Sequence, residues 1–270
     1  MIVHFLGTAA AEGFPGVFCR CEHCGKARTL GGRNIRTRSS AIIDGTLKID
    51  FPPDTYMHVL RDGLDLGLVR DLFITHTHAD HLLASELAMR LPVFAHGLDG
   101  PLRVYGHDAA VRVCRGALGR PDSERLQLRR IALFETADTG EARVTALPAN
   151  HDPDETCLLF WIEKGGRTVF YGHDTGLLPA ETWAWMAGRK ADLVILDCTN
   201  GNLPFTGSHL NVEAAIGIRD RMRAEGMLAP AARVVVTHFS HNIGLMHDDL
   251  TAIFEPEGII VAYDGMKLEL

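Results

Sequence analysis

The run Thr75-His76-Thr77-His78-Ala79-Asp80-His81 constrains this chain more than any other feature. It follows directly on an apolar stretch, so a buried strand over 68–75 is expected to deliver it. Neutral imidazole is the commonest ligand for zinc-like ions, and carboxylate suits harder ones. Residues two apart in an extended or turning segment project the same way, so His76 and His78 can grip one ion together. Asp80 and His81 are expected at the start of a helix over 81–90, placed to grip a second ion. Two ions need more than these four ligands, so the fold must bring others from far along the chain.

Three further ligand types stand at the ends of apolar runs. His151 follows an expected strand over 143–148, Asp174 follows one over 167–171, and His238 follows one over 233–236. A carboxylate can bridge two metals, which makes Asp174 the natural shared ligand. Any one of these residues alone reads as an ordinary hydrogen-bonded group; the combination is what points to metal.

The remaining pattern mixes strands and helices in both halves. Strands are expected over 2–6, 40–43, 46–49, 102–105, 156–163, 193–196, 259–263 and 267–270, and helices over 54–61, 108–118 and 211–225. Asp44-Gly45 reads as a two-residue hairpin turn. No linker or low-complexity stretch divides the chain. The expectation is one domain over 1–270, an α/β fold with helices outside two sheets and ligands along one edge. The formal net charge of −7 argues against a broad nucleic-acid-binding face but not against a small anionic substrate, since bound cations reverse the local field. With no basic leader and no apolar run long enough to span a bilayer, the expected location is cytoplasmic and no membrane partner is expected.

In a reducing compartment a tight thiol cluster suggests metal. Cys19-Arg20-Cys21-Glu22-His23-Cys24 is such a cluster, and three thiolates with one imidazole form a closed, structural zinc site. The fourth ligand is either His23 or a distant residue such as His241, three positions beyond His238. Cys114, Cys157 and Cys198 read as core residues.

The run from His76 to His81, followed by His151, Asp174 and His238, resembles the metallo-β-lactamase superfamily. That resemblance implies a four-layer αβ/βα sandwich. It assigns His76, His78 and His151 to one divalent ion (zinc or manganese), Asp80, His81 and His238 to another, and Asp174 to both. The early thiol cluster, Thr237-His238-Phe239-Ser240-His241 and Asp264-Gly265-Met266 further resemble the phosphoribosyl 1,2-cyclic phosphate phosphodiesterases of phosphonate breakdown. In that family the second histidine completes a structural zinc site, which carries the role to His241 beside Cys19, Cys21 and Cys24. Departures are His173 and Cys157, where small residues are expected, and a slightly long segment over 219–233.

The implied reaction is hydrolysis of a small phosphorylated sugar or nucleotide, ribose 1,2-cyclic phosphate 5-phosphate first among them, by a hydroxide shared between the ions. Asp80 and His209 are the expected catalytic residues. His209 precedes a helix and follows a Gly-containing loop, so it is placed to protonate the leaving alkoxide, while Ser208 or Asn211 caps the helix. Arg33, Arg36 and Arg38 are candidates for gripping a distal phosphate or form a solvated face. Two alternatives stand beside this reading: a ribonuclease Z-like or cyclic-nucleotide phosphodiesterase, and a non-catalytic carrier resembling the PqqB proteins. Assembly is left open, a homodimer being one option.

Overall fold

The computed structural model describes residues 1–119 and 124–270. The first half of the chain supplies β1 (Ile2–Gly7), β2 (Ser40–Ile43), β3 (Leu47–Ile49), β4 (Asp71–Phe73), β5 (Leu102–Gly106) and β6 (Leu126–Arg130). The second half supplies β7 (Thr136–Asp138), β8 (Ala142–Pro148), β9 (Leu158–Lys164), β10 (Arg167–Gly172), β11 (Ala191–Asp197), β12 (Leu228–Thr237) and β13 (Ile259–Val261). The last strand, β14 (Lys267–Glu269), crosses back to the first sheet, which runs β14-β1-β2-β3-β4-β5-β6; the second runs β13-β12-β11-β10-β9-β8-β7. Helices are α1 (Glu22–Leu30), α2 (Thr55–Asp62), α3 (Asp108–Leu118), α4 (Ala180–Met186), α5 (Val212–Ala224) and α6 (His247–Phe254).

Alternation along the strands explains the layering. Val3, Phe5, Ile43, Ile49 and Phe73 of one sheet meet Val144, Phe160, Ile162, Leu193, Ile195 and Val235 of the other in a shared core. Their neighbours point outward. Ile42, Leu72 and Val104 pack on Ala110 and Cys114 of α3, and Val194, Leu196 and Val236 pack on Ala215, Ile218 and Met222 of α5. Strands covered on both faces need apolar residues on both, which is why these segments read as continuous apolar runs. The result is the expected four-layer αβ/βα sandwich. No helix among the described residues is long and apolar enough to cross a membrane.

Several elements differ from expectation for identifiable reasons. The hairpin between β2 and β3 has Asp44 and Gly45 at positive φ (48° and 70°), but Ile43 pairs with Leu47, so Thr46 also belongs to the turn. The strand expected over 68–75 is confined to Asp71–Phe73, because Thr75 N–H leaves the ladder to donate to the Asp50 carboxylate at 2.8 Å. The helix expected over 81–90 is a 3₁₀ segment starting only at Ala84. The His81 carbonyl accepts from Phe51 N–H (2.7 Å), and Leu83 N–H donates back to Phe51 (2.7 Å), which removes both groups from any helical ladder. Asp80 and His81 therefore sit in a turn that is stitched to the end of β3.

Candidate metal centre

Every candidate ligand of the central cluster lies beyond the C-terminal end of a strand, on one edge shared by the two sheets. β4 leads to His76–His81, β8 to His151, β10 to Asp174 and β12 to His238. Asp174 and His238, with Asp50 beyond β3, hold φ of 58°, 65° and 59°. A positive φ is uncommon for residues other than glycine, and such backbone strain concentrates at functional sites.

The ligand atoms of the second proposed group approach closely. His81 Nε2 lies 3.2 Å from Asp80 Oδ2 and 3.0 Å from Asp174 Oδ2, and His238 Nε2 lies 3.7 Å and 3.8 Å from the same two oxygens. Metal–ligand bonds of 2.0–2.2 Å in a tetrahedron give ligand–ligand edges of about 3.4 Å, close to these separations. In the other group His151 Nε2 is 3.1 Å from His78 Nδ1, and His76 Nε2 is 3.3 Å from Asp174 Oδ2. The latter oxygen thus touches both groups. The structure brings His76, His78, Asp80, His81, His151, Asp174 and His238 to one place.

The outer nitrogen of each imidazole is already engaged, which fixes the tautomer and turns a lone pair inward. His81 Nδ1–H donates to Asp50 (2.7 Å), His78 Nε2–H to Asp152 (2.9 Å) and His151 Nδ1–H to the Ser208 carbonyl (3.2 Å). His76 Nδ1–H donates to Thr75 Oγ1 (3.0 Å), whose hydroxyl donates to Asp50. His238 Nδ1–H donates to Thr199 Oγ1 (2.7 Å), whose hydroxyl donates to Asp197. The same threonine–aspartate device serves one histidine on each sheet. Inward, Nε2 of His76, His81 and His238 is buried with no hydrogen-bond partner. Buried polar atoms without partners are costly, and several converging on one point fit a divalent cation.

The charge balance agrees. Burial lowers the proton affinity of His81, but Asp80 and Asp50 outweigh it and raise its pKa well above the ordinary value; for His238 Asp174 does the same, to about 9. Burial would raise Asp174, but His238 and His209 hold it well below the carboxylate range. His76 lies among other imidazoles, and burial pushes its pKa well down. The carboxylate field that favours protons on His81 and His238 equally favours a cation in their place.

His209 stands on the pocket wall with Nδ1 3.1 Å from both Asp174 Oδ1 and Asp197 Oδ2. Burial works against its charge, but these two carboxylates raise its pKa to about 10. Its loop is placed by a close approach of two backbones: a Cβ on Gly176 would stand 1.8 Å from the Gly207 carbonyl oxygen. Asn211, not Ser208, caps α5, accepting from Ala214 N–H.

The thiol cluster also assembles, with His241 and not His23. Sγ of Cys19 and Cys21 lie 3.9 and 3.7 Å from His241 Nδ1, and the ligand atoms of Cys19, Cys21, Cys24 and His241 are all within 4.8 Å of one another. Zinc bonds of 2.3 Å to sulfur and 2.0–2.1 Å to nitrogen give an S···N edge of about 3.6 Å. Cys21 caps α1, and the Cys24 N–H it accepts lowers its pKa to about 6. Ser240, in the turn between His238 and His241, donates to Glu12, which ties this turn to the loop leading into the thiols.

Sequence reasoning missed Asp50, Asp152 and Asp197, which orient ligands without joining the motif. Asp50 and Asp197 had a signal, since each ends an apolar strand as His151 and Asp174 nearly do. Arg33, Arg36 and Arg38 do not enter the pocket. Arg33 lies over the Tyr263 ring, Arg36 is buried against Thr8, the Ala262 carbonyl and His247, and Arg38 pairs with Asp54 at 3.1 Å. His173 is fully buried under the cluster, its ring 4.7 Å from that of His238, with neither nitrogen hydrogen-bonded.

Comparison with known proteins agrees with this geometry. A coenzyme PQQ synthesis protein B from Cupriavidus necator is 26% identical over 99% of both chains. A diphosphatase of the PhnP family superposes with a TM-score of 0.77 at 23% identity, covering 100% of this chain and 97% of that one. Zinc-bound PqqB from Methylobacterium extorquens gives 0.70 at 20% identity over the whole of both chains. The model of the beta-lactamase superfamily domain matches residues 57–239, a span holding all seven side chains of the central cluster, and the chain belongs to the metallo-β-lactamase superfamily.

Proposed function

We propose that this protein is a metal-dependent phosphodiester hydrolase of small substrates. His76, His78 and His151 would hold one divalent cation, Asp80, His81 and His238 a second, and Asp174 both. Such ions supply a water ionised near neutral pH and offset charge on the phosphoryl oxygens. The water oxygen forms a bond to phosphorus as the bond to the leaving oxygen breaks, and that oxygen needs a proton. His209, with Nδ1 3.1 Å from both Asp174 and Asp197, is placed to donate it as general acid. Cys19, Cys21, Cys24 and His241 would hold a structural zinc.

One observation carries this reading: inward-facing ring nitrogens without partners on His76, His81 and His238, each backed by an outward hydrogen bond, surround the Asp80 and Asp174 carboxylates. The full-length likeness to coenzyme PQQ synthesis protein B supports a second reading, a carrier or binding protein without turnover. The test is a phosphodiester panel with zinc- or manganese-reconstituted protein: ribose 1,2-cyclic phosphate with and without a 5-phosphate, 2′,3′-cyclic nucleotides and RNA. Turnover of a small diester that is lost in Asp174→Ala upholds the proposal. No turnover of any diester by fully loaded protein favours the carrier, and strong preference for RNA favours a nuclease.

A further inference from the structure

The pocket above the cluster, about 530 Å³, has a wall whose charge conflicts with a doubly phosphorylated substrate. Its carboxylates are Glu12, Asp80, Asp152 and Asp174, no Lys or Arg lines it among the described residues, and the His209 ring on its wall is already engaged by Asp174 and Asp197. Two divalent cations held by Asp80 and Asp174 would leave the floor positive, enough to receive one phosphate. A second phosphate further out would need its own cationic partners, since charged groups leaving water must be paired. Arg38, which borders a shallow cleft that shares Glu12 with this pocket, is held by Asp54 and donates to the Ala11 carbonyl.

Part of the lining is apolar or amide: Leu203, Phe205, Asn200, Asn242 and Ser240 belong to it, with Asn200 beside Phe205. Phe205 is 56% exposed, a large ring left uncovered on the wall of a polar site. Exposed aromatic rings in such positions are stacking platforms for planar groups; Asn200 Nδ2 donates to the Phe205 and His209 carbonyls, which leaves its Oδ1 and the Asn242 amide to meet ring edges.

We infer that the substrate carries one phosphate only, and that its far end is an uncharged planar ring of nucleoside type laid against Phe205. This rests on the phosphodiesterase reading for the position of the phosphate, and it departs from the 5-phosphorylated sugar that the family resemblance implies.

Binding to the zinc-loaded protein tests the inference without turnover. Adenosine 5′-monophosphate, ribose 5-phosphate and ribose 1,5-bisphosphate share one phosphate and differ in what extends from it. Calorimetry should show the nucleotide bound about tenfold tighter than ribose 5-phosphate, the range expected for one base stacked on an aromatic ring. The bisphosphate should gain less than threefold over ribose 5-phosphate. Phe205→Ala, at an exposed position, should bring the nucleotide-to-sugar ratio close to one. The inference is overturned if the bisphosphate binds tenfold tighter than the monophosphate, if nucleotide and sugar phosphate bind alike or not at all, or if Phe205→Ala leaves the ratio intact. Nucleotide preference without turnover of any diester would sink the hydrolase reading and leave the pocket assignment standing.

Discussion

Asp50→Asn isolates the contribution of a residue that touches no proposed metal ion. The Asp50 carboxylate is fully buried and accepts from Thr75 N–H, Thr75 Oγ1–H and His81 Nδ1–H at 2.7–3.0 Å. Asparagine is isosteric and tolerates the positive φ of this position. Its carbonyl oxygen can keep the Thr75 contacts, but its NH₂ then faces His81. A donor there favours an acceptor at Nδ1, which moves the proton to Nε2, the atom that must carry the lone pair. The loss is one charge-assisted hydrogen bond, about 1.5–3 kcal/mol, or roughly 10- to 100-fold in cation affinity, the usual size of such outer-contact effects. Competition against a zinc chelator should show this weakening at one ion per chain, while metal-free protein melts within a few degrees of wild type. Zinc affinity within twofold of wild type would refute the claim that Asp50 sets the tautomer of His81.

Three other outcomes follow from the same geometry. His209→Gln should lower kcat about 10²–10³-fold on diesters with alkoxide leaving groups, a typical general-acid contribution, and far less on p-nitrophenyl esters that leave unaided; an equal loss on both, read in steady-state assays, would exclude proton donation. Cys24→Ser should remove one zinc per chain by elemental analysis and lower the melting temperature, while zinc remains in the central cluster. Lys48 is buried, donating to Ser40 Oγ and the Asp50 carbonyl, and burial lowers its pKa from 10.5 to about 7. Its proton leaves more readily in the folded state, so wild-type stability should rise as pH climbs from 7 to 10.5, by on the order of 4 kcal/mol. Lys48→Met should lack that rise in urea melts across the same window, and parallel curves for the two proteins would show that the amine is not desolvated.

What could be read from the sequence were local regularities. The histidine run, the strand-end positions of His151, Asp174 and His238, and the thiol spacing all lie within a few residues of one another or of an apolar run. Helix α3 was legible because its apolar spacing and flanking residues agree. The groups that orient the ligands were not, because Asp50 finds His81 through a tertiary hydrogen bond spanning 31 residues, and Asp197 meets His238 only when β11 and β12 pair in parallel. The helix expected over 81–90 failed for a similar reason, since Phe51 captures the backbone of His81 and Leu83. The three arginines at 33–38 looked alike in sequence; only folding separated one buried among polar partners from one stacked on a tyrosine and one paired with an aspartate.

The seam between the sheets is closed by hydrocarbon along most of its length, but at the site edge it ends in Asp50, Asp80, Asp174 and Asp197. With no metal among them, only protons on His81, His238 and His209 offset these charges, and no metal bond ties His76–His81 from one layer to His151 and His238 from the other. Local opening starts where few apolar contacts hold the backbone. Amide exchange in the metal-free protein should therefore accelerate first around Thr75–Leu82 and Thr237–Ser240, and metal loading should slow both segments together, as a clasp does to the two leaves it joins.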